Sequence, residues 1–203
     1  DLLLALLTDA RTALREDLRL VAMSATLDAD RLRRILGGTS GGASPLVEVP
    51  GRLHPLAEVW APSGRTGRLG PRGVPREFLA HVAATVERAL AEHSGDLLAF
   101  LPGAREVDDV VARLRDAAHE GVDVLPLHGR LPASAQDAAL TPSPAGRRRV
   151  VVSTNVAESS LTVPGVRVVV DSTLAREPRL DVARSMSGLV TVGVSRAAGV
   201  QRA

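Results

Sequence analysis

The chain has 203 residues, 45% of them hydrophobic and 24% charged, which excludes a disordered polypeptide and allows one large or two small domains. Its one dense apolar run, residues 2–7, is far below the ~20 residues of a membrane span, and with no basic stretch before it and no small-residue cleavage site it does not read as a signal peptide. Cys, Tyr and Lys are all absent, and 25 Arg against 23 acidic residues give a net charge of +2, which excludes disulfides and thiolate metal sites and argues against a base-stacking platform.

In chain order, Leu3, Leu6, Leu7, Ala10 and Leu14 recur at helical spacing and predict an amphipathic helix over 2–15. Residues 18–23 read as a short buried strand ending in Ser24-Ala25-Thr26, and Asp28 as the N-cap of a helix reaching Leu36. The glycine-rich segment 37–42 follows that helix. A phosphate cradle should follow a strand and open a helix, so the segment reads as a loop. Residues 46–49 and 56–60 are expected as strands around Pro50-Gly51. Residues 62–75, rich in Gly, Pro and Arg, read as a linker or exposed loop, with Arg65, Arg68, Arg72 and Arg76 as solvated side chains.

From there the alternation becomes regular. A helix over 76–93, with Leu79, Val82, Val86 and Leu90 on one face, leads to a strand over 96–101. A helix over 104–119, with Val107, Val110, Val111 and Leu114 on one face, leads to a strand over 122–127. Short helices, one of them over 133–140, then separate strands over 148–153 and 166–171. Such alternation implies right-handed crossovers and a parallel sheet covered by helices on both faces. Functional residues of such sheets gather at the carboxyl ends of the strands, here Ser24–Thr26, Pro102-Gly103, His128-Gly129, 153–155 and Asp171. Residues 173–180 and 188–194 are expected to pair as a hairpin across 181–184.

Several chemistries are absent. A P-loop needs a Lys ammonium at the β- and γ-phosphates, and this sequence has no Lys. The pI near 10.6 is a consequence of the same absence, because almost nothing titrates between the α-amine and Arg; it is poor evidence for a nucleic-acid surface. His54, His81, His93, His119 and His128 show no zinc spacing, so no metal site is expected, and no G-x-S-x-G elbow is present. Asp108-Asp109 and His119-Glu120 read as solvated helix positions.

One segment does carry chemistry. Ser153-Thr154-Asn155-Val156-Ala157-Glu158-Ser159-Ser160-Leu161-Thr162 follows a strand and opens a helix, so small polar side chains and free backbone N–H groups stand where an oxyanion would bind. Ordinary N-capping by Ser or Thr, with Glu158 in the first turn, accounts for the same residues, and the segment alone leaves both readings open.

The order of the segments adds more. M-S-A-T-L-D, G-D-L-L-A-F-L-P-G, L-H-G-R-L, S-T-N-V-A-E-S-S-L-T-V-P-G-V-R-V-V-V-D-S and S-R-A-A-G-V-Q-R-A together resemble the DEAH-box ATP-dependent RNA helicases of superfamily 2, and within them the bacterial HrpB group. The likeness extends over nearly the whole chain. It implies an α/β fold with a RecA-like parallel sheet: the end of a first RecA-like domain over 1–61, a linker over 62–75, and a second RecA-like domain over 76–203. It also implies a fragment that starts just after the family's D-E-x-H box and stops inside motif VI, consistent with the absence of an initiator Met.

The resemblance implies roles residue by residue. Ser24 and Thr26 match the motif III hydroxyls that couple the D-E-x-H box to domain closure. Thr154 and Asn155 match motif V positions on the RNA backbone, and Ser160 and Thr162 match those facing the nucleotide. Gln201 matches the motif VI residue near the attacking water, Arg202 the first arginine of that motif, and Gly103 and Gly129 lie in RNA-facing turns. ATP and Mg2+ are implied for the parent protein and neither for this chain alone. The implied partner is single-stranded or structured RNA held through its backbone, in the cytoplasm and away from membranes. Two residues depart from the pattern: Pro102 stands where many relatives have a Thr that touches RNA, and Thr173 where relatives often have Gly. A superfamily 2 motor acting on DNA and a non-catalytic RecA-like binding module are the alternatives.

Overall fold

The computed structural model describes residues 2–23, 29–37, 42–49, 55–64, 67–71, 73–117, 120–144, 146–159, 163–182 and 185–202, and the chain divides into two compact units, Asp1–Leu56 and Ala57–Ala203.

The first unit has two helices among its described residues, α1 (Leu2–Ala13) and α2 (Ala29–Gly37), neither of which buries a residue. The Arg11 guanidinium donates to the Leu36 carbonyl (2.9 Å), and Arg33 donates to the carbonyl of Ser44 (2.9 Å). The strands expected at 18–23 and 46–49, and the one at 56–60 that spans the boundary between the units, are not formed. Val21, Met23, Val47, Val49 and Val59 are each about four-fifths exposed or more. Apolar, β-branched residues favour a strand, but a strand exists only where a neighbour accepts its ladder, and no described residue does so here. Asp28, 38–41 and Pro50-Gly51 lie outside the described residues.

The second unit carries a four-stranded sheet in the order β2-β3-β1-β4, from β1 (Asp96–Phe100), β2 (Val122–Leu127), β3 (Arg148–Ser153) and β4 (Val166–Asp171). Every pairing is parallel, as the alternation of elements predicts. The helices are α3 (Arg76–Glu92), α4 (Ala104–Asp116), α5 (Ala133–Leu140) and the single turn α6 (Val156–Ser159). On α3 the residues Leu79, Val82, Val86 and Leu90 recur every three or four positions, and they pack with Val107, Val110, Val111 and Leu114 of α4 against Leu97, Ala99, Val150 and Val152. The alternate strand residues Leu98, Phe100 and Val151 face the other way, onto Leu127, Ala139, Ala157 and Val163. A parallel sheet buried on both faces explains why its strands read as near-continuous apolar runs. Gly95 turns the chain from α3 into β1 at φ +90, and a Cβ there would stand 2.8 Å from the Arg167 side chain, so both the backbone and the space require glycine.

Beyond β4 the chain forms the expected hairpin, β5 (Leu174–Asp181) with β6 (Met186–Gly193), antiparallel from Leu174 opposite Gly193 to Asp181 opposite Met186. It ends in α7 (Arg196–Arg202). The turn between β4 and β5 holds Thr173 at φ 58, a left-handed conformation that a β-branched residue adopts only under strain. Two contacts hold it there: the Thr173 N–H donates to Asp171 Oδ1 at 2.7 Å, and Arg68 donates to the Thr173 hydroxyl. Thr173→Gly keeps the first contact, loses the second and removes the Cβ clash. We expect it to raise stability by about 1 kcal/mol and the melting temperature by about 2–4 °C. A lower melting temperature would show that the Arg68 bond outweighs the strain.

Candidate functional site

The carboxyl ends of the four sheet strands converge into one edge, stitched by backbone bonds that continue beyond the ladder. Leu101 N–H donates to Ser153 O (2.8 Å), Thr154 N–H to Leu127 O (3.1 Å) and Ser172 N–H to Phe100 O (3.1 Å). The Ser153 hydroxyl is wholly buried and lies within hydrogen-bond reach of the carbonyls of Leu127 (3.1 Å) and Thr154 (2.8 Å). The turn after β3 is therefore fixed in place, with Thr154 buried and Asn155 exposed beside it.

Thr154-Asn155 occupies the middle of this edge because β3 lies between β2 and β1. On the β2 side stand Gly129 and Arg130, both exposed, and on the β1 side the buried Gly103 and the exposed Arg105 at the start of α4. The Asn155 amide thus stands exposed at the centre of the edge, with the exposed Arg130 and Arg105 on the turns that follow β2 and β1. Such groups bind phosphate and sugar without reading bases.

Gly103 has a second task. A Cβ on it would fall 2.6 Å from the Arg176 guanidinium carbon and 2.8 Å from Glu106 Oε2. Arg176 reaches across from β5 to bond both carboxylate oxygens of the buried Glu106 (3.2 and 3.3 Å), and the glycine leaves room for that pair. His128 is buried with Nε2 3.4 Å from Asp108 Oδ1, while its Nδ1 has no hydrogen-bond partner among the described residues. An Nε2–H tautomer leaves only a lone pair unmet there.

The fourth strand end receives α7. Ser195 caps this helix, its hydroxyl accepting from the Ala198 N–H (3.1 Å), and the Arg202 guanidinium reaches Asp171 Oδ1 (3.1 Å) with its central carbon 4.9 Å from the Phe100 ring centroid. Gln201, next along the helix, is exposed. The structure thus brings Gly103, Gly129, Thr154, Asn155 and Arg202 to the same edge. Ser24, Thr26, Ser160 and Thr162 lie outside the described residues. Sequence reasoning missed the partners Asp171 and Phe100 of Arg202, and the pair Glu106–Arg176; the only signal for Asp171 was its position at a strand end.

The carboxyls held below their usual range, Asp17 beside Arg15 and Asp123 beside Arg147, both lie elsewhere. Asp123, near the amino end of β2, is held below the usual carboxylate range, first by its hydrogen bonds with the Arg147 guanidinium (3.0 Å from Nε to Oδ2). Among the described residues no group of three or more His, Cys, Asp or Glu could hold a metal ion, and no helix is long and apolar enough to cross a membrane.

Comparison with known proteins agrees with this fold. Residues 80–186 match the helicase conserved C-terminal domain. The chain is 41% identical over 205 residues to the ATP-dependent RNA helicase HrpB of Escherichia coli, covering all of this chain and 23% of that protein. It is 35% identical over 192 residues to the probable ATP-dependent RNA helicase DHX34 of Mus musculus, covering 93% of this chain and 16% of that one. The crystal structure of the Escherichia coli DEAH/RHA helicase HrpB superposes with a TM-score of 0.83 at 39% identity, over all of this chain and 24% of that chain. The chain belongs to the helicase conserved C-terminal domain family, and its sheet is the RecA-like α/β fold expected from the sequence. It spans about a quarter or less of the length of these relatives.

Proposed function

We propose that this chain is part of an ATP-dependent RNA helicase, working in the cytoplasm, that couples ATP hydrolysis to movement along RNA. Residues 1–61 belong to a first RecA-like domain, 62–75 to the connection and 76–203 to a second RecA-like domain. ATP and Mg2+ are bound by the whole protein, and no metal by this chain. The observation that carries this reading is the Thr154-Asn155 turn, fixed at the centre of the strand-end edge by the Thr154 N–H to Leu127 O bond (3.1 Å) with Arg130 and Arg105 on either side. Backbone-only contacts suit a motor that must bind every step of its track equally.

In this reading Thr154 and Asn155 hold RNA phosphate and sugar, with Gly103 and Gly129 shaping the adjacent turns. Ser160 and Thr162 sense the nucleotide from the same loop, and Ser24 and Thr26 transmit closure of the domains. Gln201 stands near the attacking water and Arg202 belongs to the same helix. Pro102 supplies neither hydroxyl nor N–H, so the β1 side contributes through Arg105 instead.

The test is Thr154→Ala in the helicase that carries this chain, read as ATP hydrolysis against RNA concentration. The RNA concentration giving half-maximal stimulation should rise about tenfold, the worth of one phosphate contact of 1–2 kcal/mol. An unchanged concentration removes Thr154 from the RNA path. Stronger stimulation by single-stranded DNA than by RNA would mark a DNA motor. ATP turnover indifferent to both would leave a partner-binding module.

A further inference from the structure

Arg202 joins the last described helix to the sheet. The Arg202 side chain is 2% exposed, its Nη1 lies 3.1 Å from Asp171 Oδ1, and its guanidinium carbon sits 4.9 Å from the Phe100 ring centroid. Phe100 and Asp171 are the last residues of β1 and β4, paired in register on neighbouring parallel strands, so ring and carboxylate form one seat. The same oxygen, Asp171 Oδ1, accepts the Thr173 N–H at 2.7 Å and so also holds the strained φ 58 turn. A guanidinium seated this way, closed off from solvent, is spent inside the fold rather than extended toward a ligand.

We propose that Asp171 is a positioning residue of the motor: through Arg202 it fixes α7 on the strand-end edge and so sets where the exposed Gln201 stands. This rests on the functional reading above for its consequence in catalysis, and on geometry alone for the attachment of α7. Arg202 in this arrangement anchors the helix, and a phosphate-facing role falls to other groups.

Asp171→Asn separates the two tasks of the carboxylate, because the amide oxygen still accepts from Thr173 N–H while the charge facing Arg202 is gone. In this chain, hydrogen exchange of the segment 196–202 should accelerate about tenfold, while exchange of β1 and β3 stays within about twofold. In the helicase that carries the chain, kcat for RNA-stimulated ATP hydrolysis should fall about tenfold with KM for ATP and half-saturation by RNA moving less than about twofold, the split expected of misplacement without lost binding. Wild-type exchange over 196–202, or a wild-type kcat, overturns the proposal. So does an effect confined to the KM for ATP, which would mean that Arg202 binds nucleotide directly. Where Asp171→Asn fails to fold, Phe100→Leu keeps the residue apolar and most of its volume while removing the ring beneath the guanidinium; it should quicken the same exchange about two- to fivefold, and no change there is equally fatal. A wild-type helicase without RNA-stimulated ATP turnover overturns the functional reading, and the exchange comparison still decides whether Asp171 holds α7.

Discussion

Replacing Arg149 by Ala should lower the folding stability of the chain by about 3–5 kcal/mol, the cost of breaking a buried ion pair from one side. Arg149 is the largest fully buried side chain. Its backbone N–H and Nε donate to the two oxygens of Asp96 (2.9 and 2.8 Å), Nη1 to the carbonyls of Ala139 (3.1 Å) and Thr141, and Nη2 to that of Pro164. One residue of β3 thereby ties β1, the end of α5 and the turn before β4. Its loss leaves a mostly buried carboxylate with only the backbone N–H of residue 149 and no countercharge, and three carbonyls without their donors, none regaining full contact with water. Arg149→Met keeps most of the volume and should cost nearly as much, because volume is not what the site lacks. Arg149→Met with Asp96→Leu should recover part of the loss by removing the orphaned charge. Urea midpoints of the three variants decide the matter. An unchanged midpoint in Arg149→Ala would mean that water replaces the guanidinium at no cost.

Arg149 also marks the limit of what the residues alone disclose. Arg147, Arg148 and Arg149 stand in an unbroken run, and nothing in that run separates three different tasks. Arg147 pairs with Asp123 near the protein surface. Arg148 donates to the carbonyls of Leu90, His93 and Gly95 (2.8, 2.8 and 2.9 Å), closing the end of α3 where the helix has no further N–H groups to offer. Arg149 enters the core. Each task depends on a partner about 10 to 60 positions away, which periodicity does not register. The sheet was legible for the converse reason. Leu97–Leu101 and Val150–Val152 are buried on both faces, so their burial is written in their own composition. The same reasoning failed at 18–23 and 46–49, where strand-favouring residues have no neighbouring strand among the described residues. At the candidate site the place of Thr154 and Asn155 at a strand end was legible in the order of the segments. The seat of Arg202 was not, since it joins residues 100, 171 and 202 only once β1 and β4 lie side by side.

The 203-residue chain by itself, given ATP, Mg2+ and RNA, should release phosphate at the rate of a protein-free control, whereas the whole protein, if it is the helicase proposed above, should turn over at an enzymatic rate, commonly about 10 per second. Phosphoryl transfer needs little covalent help and much placed charge: an ammonium at the β- and γ-phosphates, carboxylates for the metal ion and guanidinium groups at the transferring phosphate. The chain contains no Lys to supply the first. For the second, the strand-end carboxylate Asp171 is already engaged, its Oδ1 accepting from Arg202 and from the Thr173 N–H. For the third, Arg202 is already engaged by Asp171 and Phe100. What the strand-end edge does hold, the Thr154-Asn155 turn between Arg130 and Arg105, suits the track and not the fuel. The two activities should therefore separate: this chain should retain weak, salt-sensitive affinity for RNA while showing no turnover. The logarithm of that affinity should fall with the logarithm of salt at a slope of about −0.7 for each phosphate neutralised on single-stranded RNA. Measuring phosphate release and RNA binding on the same preparation distinguishes the outcomes. Phosphate release that rises with RNA and disappears in Thr154→Ala would place a complete hydrolytic centre within these residues and overturn the division of labour proposed for them.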